Sequence, residues 1–411
     1  MPAAARSGPS RLRRVAHRVV APLRDRRHGV VFVARRSWRA RRRRAAAPSD
    51  VPCPTVTIDE LDPATAVVHE VHPLERIDVT FPADLDPWLR GAPGWHTAHG
   101  VVPQSVVEFR DGCVLGGDGW IGPTPDLVCT DFNRGINLGK AAPCRAAAAA
   151  RAVGEEHLPG TSAALLVSGA ANYFHWLLQA LPMLSVLLER TGPDDVDRFL
   201  VPGPERPFVA ETLDRAGIPA DRRHPVVAPA PVLRCDRLVA ATTLLNHLPP
   251  PPWATGFVRG LFADELAAAP AAGEGDLLYV RRGPGTRRRV LLNEDALVAA
   301  LTAVGFRAVE MDGRSVAEQA AIFASARCVV AVHGAALANL VFCRPGTRVV
   351  ELLPANAAVV LYSLLSSQLG LDHRAVVGTE ARPPRRYRSF MADADLRVDV
   401  PRVVRAAVDG P

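Results

Sequence analysis

Three segments of the 411-residue chain carry residue types whose order suits phosphate and hydroxyl chemistry. The first, VVAVHGAALANLVFCRPGTRVVELLP, runs from Val329 to Pro354. An apolar run ends at Val332, His333-Gly334 makes a turn, and small residues then open a short helix. That order places backbone N–H groups and a helix N-terminus at the carboxyl edge of a sheet, where anions and phosphates bind. Gly334 and Ala335 allow the backbone to approach a ligand closely. His333 at the strand tip is able to donate to a diphosphate oxygen, and Asn339 to hold the loop or touch the ligand. Pro345-Gly346-Thr347 turns into the next strand, where Glu351 is expected to bind ribose hydroxyls. The segment lacks the G-x-G-x-x-G spacing of dinucleotide sites.

The second segment is YVRRGPGTRRRVLLNE, Tyr279 to Glu294. Its arginines follow a strand and precede a helix capped by Asn293. Such a loop can neutralise a leaving diphosphate in place of a metal ion, with Arg282 and Arg288 as the working cations. Arg281 and Asn293 are expected beside them on the ligand. The other reading is plain surface charge. The third segment is NYFHWLLQALP, Asn172 to Pro182. His175 lies in the first turn of an apolar helix, either as a satisfied core histidine or as a general base whose pKa lies near operating pH. In the latter case Asn172, Tyr173, Trp176 and Gln179 line the acceptor side. Asp131 is a weaker candidate for the base.

The surrounding pattern says what must position these groups. Residues 51–160 show short β-like runs, among them Val106–Phe109 and Cys113–Leu115 separated by Arg110-Asp111-Gly112, a hairpin signal. Arg145–Val153 reads as an Ala-rich helix. From Ser162 onward strands and helices alternate. Ala164–Val167 and Phe199–Val201 read as strands. Asn172 caps a helix that Pro182 should kink, and Phe208–Ala216 forms a helix ended by Gly217. Pro249 to Pro252 marks a boundary, because four prolines cannot sit inside a helix or a central strand. Beyond it come strands at Leu277–Val280, Phe306–Val309, Cys328–Val332 and Arg348–Leu353. Asn293 and the capping box Ser315-Val316-Ala317-Glu318 open the helices between them. This alternation implies a parallel sheet with crossover helices.

Composition narrows the partners. The net charge is +7, yet residues 1–44 hold 15 arginines against one acid, Asp25, so this segment carries +14 and the remaining 367 residues −7. Lys140 is the only lysine, a bias that lowers the weight of any single arginine. Residues 1–50 read as a basic tail unable to bury a core, either simply solvated or docked on an anionic membrane face, with a weak amphipathic helix near Leu12–Leu23. The seven cysteines show no C-x-x-C spacing, so neither a disulfide framework nor a zinc site is suggested. No secretory signal and no membrane-spanning run is recognisable, and a cytoplasmic setting at the inner face of the membrane is expected.

Taken together and in order, the segments resemble glycosyltransferase family 61. The resemblance rests on N-Y-x-H-W-L-L-Q-x-L-P at Asn172–Pro182 and the Arg281–Glu294 loop with its R-R-x-L-N-E-like end. It rests further on S-x-x-E-Q-x-x-x-F at Ser315–Phe323, on H-G-A-x-L-A-N-L-V-F from His333, on P-G-T-x-V-V-E-L from Pro345, and on Gln368–Asp372. Two positions depart from it: Ala336 stands where the family's loop has a second glycine, and Met183 replaces a commonly basic or polar residue. The resemblance implies an α/β chain of GT-B type, two Rossmann-like halves facing a cleft, with β-rich N-terminal additions. The expected division is a tail at 1–50, an acceptor-side half at 51–250 and a donor-binding half at 256–375. The remaining 376–411 form a C-terminal extension whose helix packs back on the N-terminal half. It implies an inverting, metal-independent glycosyltransferase, with no cofactor beyond its nucleotide-sugar co-substrate. The default donor is a UDP-sugar, and the acceptor a glycan or capsular polysaccharide hydroxyl of the cell envelope. The alternatives are a non-catalytic nucleotide- or sugar-binding protein of polysaccharide assembly and a polysaccharide pyruvyltransferase-like enzyme. A nucleic-acid partner is not expected, because no nucleic-acid motif accompanies the basic tail.

Overall fold

The structure, a computed structural model, describes residues 54–73, 104–133, 142–244, 250–270, 276–283, 289–354, 360–382 and 395–409. The basic tail therefore lies outside the described residues, as does Arg288. No helix among the described residues is long and apolar enough to cross a membrane.

The chain builds a mixed α/β structure on two sheets. The first has nine strands: β1 Thr55–Val56, β2 Ala66–His72, β3 Gln104–Leu115, β4 Trp120–Thr124, β5 Leu127–Cys129, β6 Glu155–Ala164, β7 Arg198–Gly203, β8 Arg223–Val227 and β9 Val232–Ala241. Their order is β1-β5-β4-β3-β9-β6-β7-β8, with β2 also on β3. β5, β4, β3 and β9, with β2 on β3, pair antiparallel, β1 joins β5 in parallel, and from β9 through β6 and β7 to β8 the strands run parallel. The hairpin expected at Arg110-Asp111-Gly112 does not form. β3 runs straight through these residues, because β9 pairs with it from Val106↔Ala241 to Leu115↔Val232. Asp111 takes a left-handed φ of 53° at the point where β3 exchanges β2 for β4 on its other edge.

The second sheet has six strands: β10 Asp276–Arg281, β11 Arg307–Glu310, β12 Ala326–Val332, β13 Arg348–Pro354, β14 Asp372–Arg382 and β15 Asp395–Arg397. The order is β11-β10-β12-β13-β14-β15, parallel throughout except for the last pair. Chain order therefore reverses between β10 and β12, and in such sheets ligands bind at the carboxyl ends beside that reversal. Side chains alternate along β12. Val329 and Ala331 join one core beneath the helices Val316–Ala324, Ala335–Phe342 and Leu361–Gln368. Cys328, Val330 and Val332 join another beneath the helices Glu294–Ala303 and Val400–Val408. The expected C-terminal helix is thus present but sits elsewhere: Val403 and Ala407 pack with Leu297 and Leu301 on the second sheet, not on the N-terminal half.

One apolar core joins the two sheets. It holds Ala163, Phe199 and Val239 of the first together with Leu278, Val329 and Val349 of the second. Between them lies the segment from Tyr173. It starts as a short helix, passes through a π-turn at Trp176–Ala180 and continues as the helix Leu181–Arg190. The irregularity expected from Pro182 takes this form. Proline lacks the N–H that a regular helix needs, and Leu181 N–H donates five residues back to the Trp176 carbonyl.

Candidate functional site

The site is built at the carboxyl ends of β10 and β12. The His333 N–H donates to the Leu352 carbonyl at 3.0 Å, so the pairing with β13 extends one residue past the strand. The chain then leaves the sheet at Gly334, whose φ of 178° is extended backbone open to any residue. A Cβ at this position would meet the Arg282 guanidinium carbon at 3.4 Å, an ordinary contact. Two carbonyls of the turn are tied from outside. Arg282 Nη1 donates to the His333 carbonyl at 2.8 Å, and the Tyr362 hydroxyl donates to the Gly334 carbonyl at 2.7 Å. The first intrahelical bond of Ala335–Phe342 is from Leu337 N–H to the Gly334 carbonyl. The N–H groups of Gly334, Ala335 and Ala336 precede it and have no partner within the helix. The helix is 3-10 in form.

Behind the turn lies a buried polar chain. His333 Nδ1 is 2.5 Å from Glu351 Oε1, Glu351 Oε2 is 3.1 Å from His373 Nε2, and His373 Nδ1 is 3.2 Å from Ser363 Oγ. Glu351 has no exposed surface, and His333 keeps 3%. Burial pushes the Glu351 carboxyl up, but the hydrogen bonds and charges of His333 and His373 outweigh it and bring it down to about 2. Burial holds His333 below the ordinary histidine range, helped by Arg289 and Arg282 and opposed by Glu351. A ribose-binding role for Glu351 does not fit this geometry: both carboxylate oxygens are engaged and neither reaches the surface.

On the facing segment, the Asn172 side chain accepts from the Phe174 N–H at 3.0 Å and caps the helix start. His175 Nδ1 lies 2.5 Å from Gln179 Oε1, while Gln179 Nε2 donates to the Leu244 carbonyl at 3.0 Å. The amide orientation makes His175 Nδ1 the protonated nitrogen and leaves Nε2 as the accepting one. Burial lowers the pKa of His175, and the Gln179 contact raises it in part. The left-handed Gly169, at φ 86°, lets the ring lie against the backbone, since a Cβ there would stand 3.0 Å from His175 Cδ2. The rings of His175, Phe174, Tyr362 and His333 succeed one another at centroid spacings of 5.2, 5.9 and 5.2 Å. His175, at the end of the short helix Tyr173–His175, is thus linked to His333, at the end of β12, through the two rings between them.

The remaining candidates divide. Tyr173 donates its hydroxyl proton to Asn339 Oδ1 at 2.6 Å, and Asn339 Nδ2 donates to Gln319 Oε1 at 2.7 Å. Asn339 is fully buried, so it ties the two halves together and does not reach a ligand. Trp176 is buried with its indole N–H on Thr212 Oγ1 at 2.8 Å, which makes it a core residue. Arg281 pairs with Glu294 at 3.3 Å, and Glu294 also accepts from the Tyr279 hydroxyl. Tyr279 belongs to the core on the other face of the sheet, so this group stands apart from Arg282 and His333. Asn293 supplies no side-chain cap; its amide clasps the Val398 backbone in both directions. Asp131 is buried and accepts from the Ile58 N–H at 3.2 Å, within the first sheet. Among the described residues no group of three or more His, Cys, Asp or Glu side chains is placed to hold a metal ion.

Sequence reasoning missed Tyr362, Ser363, His373 and Arg289. The available signal was polarity in apolar runs: Glu351 and His373 interrupt adjacent buried strands, and a buried charge needs a partner.

The family model described as Glycosyltransferase 61 matches residues 173–350. The match spans the His175 segment, the arginine loop and β12 with its turn, and it ends one residue before Glu351. It supports the family that the sequence motifs resemble and indicates glycosyltransferase activity in general. No curated protein matches the chain.

Proposed function

We propose that the protein is an inverting glycosyltransferase that moves a sugar from a nucleotide-diphosphate donor, by default a UDP-sugar, to a hydroxyl of an envelope glycan or polysaccharide. The observation that carries this reading is the reversal of strand order between β10 and β12. Arg282, His333 and the start of the helix Ala335–Phe342 meet there. An inverting transfer is a single displacement, in which the acceptor loses a proton on one face of the sugar and the diphosphate leaves from the other. The leaving charge needs fixed donors aimed at it. Arg282 and the N–H groups from Gly334 supply them in this reading without a metal, with His333 as an imidazolium beside them. His175 Nε2 is the base, held in its accepting tautomer by Gln179. The second sheet then serves as the donor half and the first as the acceptor half of a GT-B arrangement. Residues 1–44 are assigned to an anionic membrane face on the cytoplasmic side, so vesicle binding that persists after their deletion would exclude them.

The test is a thermal-shift screen of the purified chain against nucleotides and nucleotide sugars, followed by donor turnover with the best ligand. Selective stabilisation by one nucleoside diphosphate and its sugar is expected. His175→Ala should lower turnover by about 10²- to 10⁴-fold while leaving the nucleotide shift in place. Near-normal turnover in that variant removes His175 from the base role. Absence of any nucleotide response sinks the donor site.

A further inference from the structure

We infer that Glu351, His373 and Ser363 are positioning residues that fix the proton of His333 on Nδ1 and stabilise the ring when Nε2 takes up a second proton on binding the donor's diphosphate. The diphosphate part of this inference rests on the function proposed above; the proton arrangement does not.

The arrangement follows from what each group is able to do. An ionised carboxylate only accepts, so both nitrogens facing Glu351 must carry hydrogen. His333 therefore donates from Nδ1 at 2.5 Å and His373 from Nε2 at 3.1 Å. With Nε2 as its donating nitrogen, His373 offers Nδ1 as an acceptor, and the Ser363 hydroxyl at 3.2 Å donates to it. Every polar atom of the chain is used except His333 Nε2, which has no hydrogen-bond partner among the described residues. His333 sits at the carboxyl end of β12, where the chain turns toward Arg282. Glu351 comes from the middle of β13 and His373 from the start of β14. Apolar side chains would pack these strands as well as a buried carboxylate does. The polar chain therefore answers to something other than packing.

The charges around His333 decide when it is protonated. Glu351 faces it from β13, with His373 behind on β14. Arg282 approaches from just past the end of β10, Arg289 from within the arginine loop, and Tyr362 from the helix Leu361–Gln368. With no anion bound, burial and the two arginines keep the ring neutral. A diphosphate placed between Arg282 and His333 reverses the local sign. One proton then passes from solvent to Nε2, and the imidazolium lies between the Glu351 carboxylate and a phosphate oxygen. Binding should accordingly weaken by up to about tenfold per pH unit where free His333 is neutral and bound His333 is charged.

The experiment uses the full chain and UDP as the probe. Calorimetric titration near neutral pH in buffers of different ionisation enthalpy counts the protons taken up, and ¹⁵N spectra of the histidine rings report the His333 tautomer without ligand. More than about half a proton taken up, and an Nδ1–H, Nε2-bare His333, are expected. His373→Leu should lower proton uptake, flatten the pH dependence of affinity and give a mixed tautomer. His373→Gln, which is able to donate to Glu351 and accept from Ser363, should restore all three. If His373→Leu does not fold, the wild-type proton count and spectrum decide. An Nε2–H His333 overturns the arrangement, and UDP binding without proton uptake overturns the linkage. Failure of UDP to bind while the tautomer is as expected removes the donor reading and the linkage together, and leaves the positioning chain standing.

Discussion

Glu351 occupies the interior of a parallel sheet with an imidazole on each oxygen. Replacing it with alanine would leave two buried N–H donors facing a cavity. The expected cost is about 2–5 kcal/mol in chemical denaturation, at about 1–3 kcal/mol for each buried donor left unpaired. A carboxylate that merely waited at the surface for a ribose would change stability by about 0.5 kcal/mol or less. The two outcomes are far enough apart for one denaturation curve to choose between them. Acid should act on the same group. Glu351 is lowered from 4.5 to about 2, so its contribution is complete above pH 4.5 and is lost as pH falls toward 2. His333 is lowered from 6.5, so the unfolded chain binds its proton first and acid already favours unfolding below that pH. Both signs agree. Wild-type stability should fall on acidification from about pH 6.5 downward, and Glu351→Ala should show a shallower decline below pH 4.5, with Glu108 and Asp372, also lowered, supplying part of what is left. The sequence identified His333 and Glu351 as members of one site. It did not reveal that Glu351 points inward, because register alone does not say which buried face carries a second histidine.

The helix Val316–Ala324 shows how an element is fixed from both near and far in sequence. Ser315 Oγ accepts from the Glu318 N–H at 3.1 Å, and Glu318 accepts from the Ser315 N–H at 2.8 Å, the box that S-x-x-E announces. The Val316 and Ala317 N–H groups are taken by Glu211 at 2.6 and 2.8 Å. Glu211 belongs to the helix Pro207–Arg215, which follows a strand of the other sheet. All four N–H groups from Ser315 to Glu318 are thus satisfied, and one carboxylate ties the halves at the positive end of a helix dipole. Glu211→Ala should cost about 2–3 kcal/mol in thermal or chemical unfolding, against about 1 for Ser315→Ala, since two charge-assisted bonds exceed one neutral bond. Equal costs would mean that Glu211 is only a bystander. The contrast marks where local pattern stops informing. Capping boxes, the strand runs from β10 to β13 and the glycines that end helices are encoded within a few residues, and they were legible. The straight path of β3 through Asp111-Gly112 depends on pairing with β9, more than a hundred residues later. Glu211 reaches a helix just as distant, and neither contact leaves a local trace.

Across the whole molecule the question is whether the two sheets behave as separate bodies. A single apolar core contains strands of both, and it is sealed by the Tyr173–Asn339–Gln319 chain and the Glu211 clamp. Such continuity favours one cooperative transition, whereas independent domains melt separately. The tryptophans provide a reporter that is blind to one half, because all six lie between residues 38 and 253 and none lies in the second sheet. Leu301 provides the complementary perturbation. It is fully buried in the core beneath the helices Glu294–Ala303 and Val400–Val408, on the face of the second sheet turned away from the shared core. Leu301→Ala should destabilise by about 2–5 kcal/mol. If the sheets are coupled, tryptophan fluorescence and far-ultraviolet circular dichroism will record the same fall in midpoint, several degrees in size. If they are not, the tryptophan transition will stay where it was while the dichroism curve splits. A split would also restore the freedom of two halves to open and close about a cleft. A common shift would confine substrate entry to movements of loops around a fixed core.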